Sequence, residues 1–120
     1  MLQYPKVIIQ ILHFRDINDT LECLDSVFKL DYPNFEVLVI DNSGKEIAPE
    51  PILKRFHVQN RICLIKVDEN KGFAGGHNIG FNYSLENGAD YIWVLNNDCV
   101  VLPDALQTLV DDIESDSAVN

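Results

Sequence analysis

The sequence predicts an α/β protein built on a Rossmann-like parallel sheet with helices on both faces. Three observations carry that reading. Apolar, β-branched runs of strand length recur at Lys6–His13, Phe35–Ile40, Arg61–Val67 and Asp90–Leu95. A segment with helical periodicity or helix-start signals follows each, so the order reads β-α-β-α-β-α-β-α. The runs are nearly continuous rather than alternating, as in strands covered on both sides, and parallel strands joined by helices take right-handed crossovers.

The first strand ends in a loop, His13-Phe14-Arg15-Asp16, where His13 either meets a ligand or packs. Asn18 or Asp19 then caps a helix whose Leu21, Leu24, Val27 and Phe28 share one face, and Tyr32-Pro33-Asn34 closes it. The second strand runs out into Asp41-Asn42-Ser43-Gly44. A carboxylate there reads equally as a turn signal or as a group that binds a base or ribose. After a loop with two prolines, Ile52–Phe56 forms a short helix, and the third strand follows.

Asp68 to Gly80 is glycine-rich. Gly72, Gly75 and Gly76 allow positive φ or close backbone approach, and a helix starting near Gly75 aims its N–H groups at an anion. The spacing matches neither the dinucleotide fingerprint nor the P-loop. Ile79, Tyr83 and Leu85 supply apolar contacts, and Asn87-Gly88 is a C-cap signal. The fourth strand reads as buried and ends in Asn96-Asn97-Asp98. Pro103 suits the first turn of a last helix with Leu106, Leu109, Val110 and Ile113 on its apolar face.

The chain has 120 residues, 47% hydrophobic and 23% charged, enough for one domain with a real core. Its formal net charge of −10 argues against a nucleic-acid partner, which would need clustered Lys and Arg. An anionic ligand on so acidic a chain needs a cation or backbone N–H groups. A strand-end Asp98 with two amides beside it, and a Gly-rich loop earlier in the chain, therefore suggest a metal-assisted phosphate site. The three cysteines, Cys23, Cys63 and Cys99, are too few and too scattered for a disulfide framework or a zinc site, and read as reduced core thiols of a cytosolic protein. No signal peptide is visible, and no apolar run is long enough to span a bilayer.

Taken together, four motifs resemble one family. They are D-T-L-E-C-L-D-S-V from Asp19, Y-P-N-F-E-V-L-V-I-D-N-S from Tyr32, N-K-G-F-A-G-G-H-N-I-G from Asn70 and N-G-A-D-Y-I-W-V-L-N-N-D from Asn87. In this order, with Val7–Phe14 as first strand, the chain resembles the amino-terminal half of a family 2 glycosyltransferase with the GT-A fold, nearest to the bacterial rhamnosyltransferase-like members. The resemblance implies roles for particular residues. Leu12, His13 and Phe14 line the base and ribose pocket, and Asp41 binds the nucleobase. Asn70, Gly72 and a Gly75-Gly76 turn lie beside the sugar-nucleotide. Asn96, Asn97 and Asp98 stand at the DXD motif, where Asp98 binds Mn2+ or Mg2+ on the diphosphate. The first DXD position is Asn96 rather than Asp, and His77 stands where Asn is frequent.

By the same resemblance, the parent enzyme transfers a sugar, rhamnose among the candidates, from a dTDP- or UDP-sugar to an acceptor hydroxyl in cell-surface polysaccharide synthesis, with inversion. Residues 1–120 are then the nucleotide-sugar-binding part of a domain truncated at its C-terminal end, inactive alone. The catalytic base is expected on a later segment. The parent is placed in the cytoplasm or peripherally at the inner face of the membrane, and the truncated edge favours self-association. Two rivals remain. One is a non-catalytic nucleotide-binding or protein-interaction domain. The other is a nucleotidyltransferase, which would want a Gly-rich, basic loop where His13-Phe14-Arg15-Asp16 stands.

Overall fold

The computed structural model describes residues 4–14, 16–42, 50–56, 59, 61–67 and 72–117. Its elements are β1 (Val7–His13), α1 (Ile17–Val27), β2 (Phe35–Asp41), α2 (Glu50–Phe56), β3 (Ile62–Lys66), α3 (Gly72–Glu86), β4 (Tyr91–Asn96) and α4 (Ala105–Ser117). The four strands form one parallel sheet in the order β3-β2-β1-β4. Every residue of β1 is buried, because it pairs on both edges and is covered on both faces.

Alternation along β1 separates two cores. Val7, Ile9 and Ile11 point to the face covered by Cys23, Leu24 and Val27 of α1, Ile52 and Phe56 of α2, and Leu106 and Val110 of α4. Ile8 and Leu12 point the other way, with Leu38, Ile40 and Val67, against Ile79 and Tyr83 of α3. Full burial of each such side chain contributes about 1.5–3 kcal/mol.

Local details depart from the sequence reading in six places. The N-cap of α1 is Asp16, whose carboxylate accepts from the backbone N–H groups of Asn18 and Asp19. All three residues are cap-formers, and only the one outside the helix can turn its side chain back to the open N–H groups. The helix stops at Val27, before Pro33 is reached. Pro103 precedes α4, and its carbonyl accepts from the Asp31 N–H, tying the loop to the end of α1. On α4 only Leu106 and Val110 are buried, while Leu109 and Ile113 are 40% and 42% exposed. Leu85 of α3 is 69% exposed and lies outside the apolar contact made by Ile79 and Tyr83.

The fourth strand, expected to be buried, is instead an edge strand whose residues are half-exposed or exposed apart from the buried Leu95, since among the described residues nothing pairs its far side. The Asn87-Gly88 stop holds: Gly88 has φ +76°, the conformation glycine adopts most cheaply after a helix.

Candidate functional site

The chain lays β2 and β3 to one side of β1 and then crosses back to place β4 on the other. The direction of strand addition thus reverses at β1, and a crevice opens at the carboxyl ends of the strands. It is a cleft of about 400 Å3 lined by Leu12, Phe14, Asn42, Gly72, Asn96, Asn97 and Asp98.

One wall is the end of β1. Leu12 shares the α3 face of the strand, and Phe14 just beyond it is 38% exposed. A second wall joins β2 to α3. The Asn42 backbone N–H donates to the His13 carbonyl (2.9 Å), and its Nδ2 donates to the Gly72 carbonyl (3.1 Å). Gly72 has φ +72° and opens α3, so the positive end of the helix dipole faces the cleft. The third wall is the turn after β4, closed by the Cys99 N–H donating to the Asn96 carbonyl (3.1 Å). Asn96 and Asp98 are exposed on it, whereas Asn97 is half-buried and its Nδ2 donates to Thr20 Oγ1 (3.0 Å).

The structure thus brings together Leu12, Phe14, Gly72, Asn96, Asn97 and Asp98 of the expected set. Asn70 lies outside the described residues. Gly75 and Gly76 form no turn, because α3 begins at Gly72 and both lie within it. Gly76 is there for proximity: a Cβ on it would come within 2.5 Å of Leu12 Cδ1. Asn42 was missed by sequence reasoning, although its place directly after the strand-end Asp41 was a usable signal.

His13 and Asp41 do not line the cleft; they sit side by side beneath it. They are register partners on β1 and β2, and both are wholly buried. They share the odd-residue faces of their strands, the side of the sheet that carries α1, α2 and α4. Asp41 Oδ2 meets Lys66 Nζ at 3.1 Å. His13 Nδ1 meets Thr20 Oγ1 at 2.6 Å, and no hydrogen-bond partner for its Nε2 stands among the described residues. On the opposite face, Gln10 Nε2 donates to Nδ1 (2.7 Å) and to the carbonyl (3.0 Å) of His77. Cys23 belongs to the α1 side of the sheet. Burial pushes its thiol up to about 12, so it stays protonated and donates to the Asn96 carbonyl at 3.8 Å. All three cysteines are free.

Burial holds the protonation of both histidines below the ordinary imidazole range; at His13 Asp41 and Asp16 oppose the shift and Lys66 adds to it. The sign follows. Below about pH 6.5 the unfolded imidazoles take up protons that the folded ones resist, so stability is full above that pH and falls as the pH drops. Each histidine adds a slope of up to about 1.4 kcal/mol per pH unit. Urea midpoints at pH 7.5 and 5.5 should show this loss, and His77→Gln should lessen it. Equal losses in both proteins would exclude His77 as a source.

The cleft also fits a metal of a particular kind. Among the described residues Asp98 is the one carboxylate that lines the cleft, and no group of three His, Cys, Asp or Glu side chains comes together. That donor set suits a hard cation such as Mg2+ or Mn2+, which takes one carboxylate and fills its shell with phosphate oxygens and water. It does not suit a closed zinc or calcium cage.

Comparison with known proteins agrees with this architecture. The family model "Glycosyl transferase family 2" matches residues 8–120, and the chain belongs to that family. It is 26% identical over 110 residues, 91% of its length, to the bifunctional glycosyltransferase pgtA of Dictyostelium discoideum, of which it spans 14%. Among solved structures it resembles the mannosyltransferase PcManGT of Pyrobaculum calidifontis in complex with GDP-Man and Mn2+. There the TM-score is 0.76 at 19% identity, over 86% of this chain and 30% of that one. It also resembles S. aureus TarS 1-349 in complex with UDP-GlcNAc, with TM-score 0.75 at 18% identity, over 92% of this chain and 31% of that one. These likenesses establish the GT-A type of α/β fold. Among the described residues no helix is long and apolar enough to cross a membrane.

Proposed function

We propose that this chain is the donor-binding part of a family 2 glycosyltransferase and holds a nucleoside diphosphate sugar in the cleft between β1 and β4. The observation that carries the reading is the meeting of an exposed carboxylate, the N-terminus of α3 and three asparagines in one crevice at the strand ends. A net charge of −10 makes an unaided diphosphate unwelcome, so a divalent ion on Asp98 is the natural counterion. Solved relatives of the same fold carry GDP-Man with Mn2+ and UDP-GlcNAc, which supports this ligand class.

When bound, the metal supplies Lewis-acid stabilisation of charge on the diphosphate leaving group. The residues of this chain bind and orient. Leu12 and Phe14 offer an apolar wall for the nucleoside, Gly72 offers the dipole of α3, and Asn96 and Asn97 flank the carboxylate. Transfer to an acceptor hydroxyl with inversion, rhamnose as the sugar, dTDP or UDP as the carrier, polysaccharide as product and a peripheral place at the inner membrane face are parts of the same proposal. They rest on the motif resemblance. A base on a segment outside residues 1–120 would deprotonate the acceptor, and the chain alone would transfer little sugar.

Calorimetric titration with UDP, dTDP and GDP, with Mn2+ and with EDTA, tests the reading. Binding of UDP or dTDP that depends on Mn2+ is expected. A folded chain that binds none of the three would overturn it.

A further inference from the structure

Helix α1 grips the turn that carries Asp98 at three points. Thr20 Oγ1 accepts from Asn97 Nδ2 at 3.0 Å. Cys23 Sγ donates to the Asn96 carbonyl at 3.8 Å. Ser26 Oγ accepts from the Val101 N–H at 3.1 Å and donates to the Cys23 carbonyl at 2.8 Å. The three residues are spaced i, i+3, i+6, so they lie along one side of the helix, and each is buried.

Of the three contacts only Thr20 reaches a side chain of the Asn96–Asp98 turn. It is itself wholly buried, and it also meets His13 Nδ1 at 2.6 Å and the Asp16 carbonyl at 3.4 Å. One assignment saturates the hydroxyl. It accepts from His13 Nδ1–H and from Asn97 Nδ2–H and donates to Asp16, which uses its two lone pairs and its proton. Buried and fully used, such a hydroxyl has one favoured orientation. It draws Asn97 inward, between Asn96 and Asp98, whose side chains stay exposed on the cleft.

We propose that Thr20 is a positioning residue for the metal-binding carboxylate: by anchoring Asn97, its hydroxyl sets the direction in which Asp98 meets the cation. This rests on the reading of Asp98 as the metal ligand. The bland alternative is that Thr20 merely satisfies buried polar groups and that its loss lowers stability alone.

The two separate by experiment. Thr20→Val keeps the shape and removes the hydroxyl, while Thr20→Ser keeps the hydroxyl. UDP affinity is measured by calorimetry with Mn2+ and with EDTA, and the thermal midpoint by circular dichroism. Thr20→Val should weaken the Mn2+-dependent affinity about tenfold, the factor expected for one lost hydrogen bond, and leave the metal-free affinity unchanged. Thr20→Ser should stay within about twofold of the parent. Asn97→Ala removes the same bond from its other end and should lose at least as much of the Mn2+-dependent affinity as Thr20→Val, and adding Thr20→Val to Asn97→Ala should weaken that part no further. If Thr20→Val fails to fold, Asn97→Ala and Thr20→Ser carry the comparison.

Equal losses with and without metal overturn the proposal, as do a Thr20→Ser as weak as Thr20→Val or an Asn97→Ala with normal metal dependence. A parent chain whose UDP binding ignores Mn2+ removes the underlying reading as well. A metal-dependent parent with an unaffected Asn97→Ala removes only the role of Thr20.

Discussion

Asp98→Ala should abolish Mn2+-dependent nucleotide binding while leaving the fold intact. Asp98 is exposed on a turn, and among the described residues no hydrogen bond or ion pair holds its carboxylate to another element, so its removal should change stability by no more than about 0.5 kcal/mol. Its effect on the ligand is of another order. Among the described residues no second carboxylate lines the cleft, and the cation it would hold is the counterion that lets a diphosphate sit on a chain of net charge −10. A loss of at least about a hundredfold, ~2.7 kcal/mol, is expected in the metal-dependent part of the affinity. The check is UDP titration in Mn2+ and in EDTA, with the thermal midpoint as control. If the variant keeps its response to Mn2+, the cation has another ligand and the assignment of Asp98 fails.

Gly80→Val should destabilise the fold by about 3 kcal/mol, although it replaces a glycine inside a helix. Helix propensity alone gives the opposite sign, since glycine costs up to about 1 kcal/mol relative to alanine. Position decides the matter. Gly80 lies on the side of α3 that rests on the sheet, and a Cβ there would run into the Gln10 side chain and come within 2.6 Å of Ile40 Cδ1. Gln10 cannot simply swing aside, because it is wholly buried and its amide is spent on His77. Valine adds a branched side chain where even one carbon does not fit. Urea unfolding measures the loss, and Gly80→Ala should show a smaller one. A neutral or stabilising Gly80→Ala would mean that α3 rides higher on the sheet than the geometry shows.

The same glycines explain what the sequence could reveal and what it could not. Order and type of all eight elements were legible, because β-branched runs and helical spacing are local signals. Gly72, Gly75 and Gly76 looked alike as letters, yet Gly72 serves a positive φ and Gly76 a short helix-to-sheet distance. The distance depends on Leu12, more than sixty positions away, and no local pattern encodes it. His13 and Asp41 were singled out as strand-end groups, and they are. Whether they face the cleft or the layer under α1 turns on strand parity, which could have been counted from Ile9 and Ile11. Exposure of β4 was hidden for a different reason: its composition suits either a central or an edge strand, and the strand order decides. Asn96, Asn97 and Asp98 were the clearest, since two amides and a carboxylate at the end of an apolar run stand out without any knowledge of the fold.

The pairing of β4 with β1 also bears on the order in which the molecule is assembled. The Lys6 backbone N–H donates to the Asp90 carboxylate across 84 positions of sequence, and Val7 stands opposite Tyr91. The early part of the chain, β1 to β2 through α1, can settle as soon as it is synthesised, while the Asp98 turn is attached only once β4 has also been made. Contacts between such distant segments form slowly. Ability to bind a nucleotide should therefore appear in the last step of folding, after most secondary structure is in place. A ligand that recognises only the finished cleft would stabilise the completed sheet and draw late intermediates toward it.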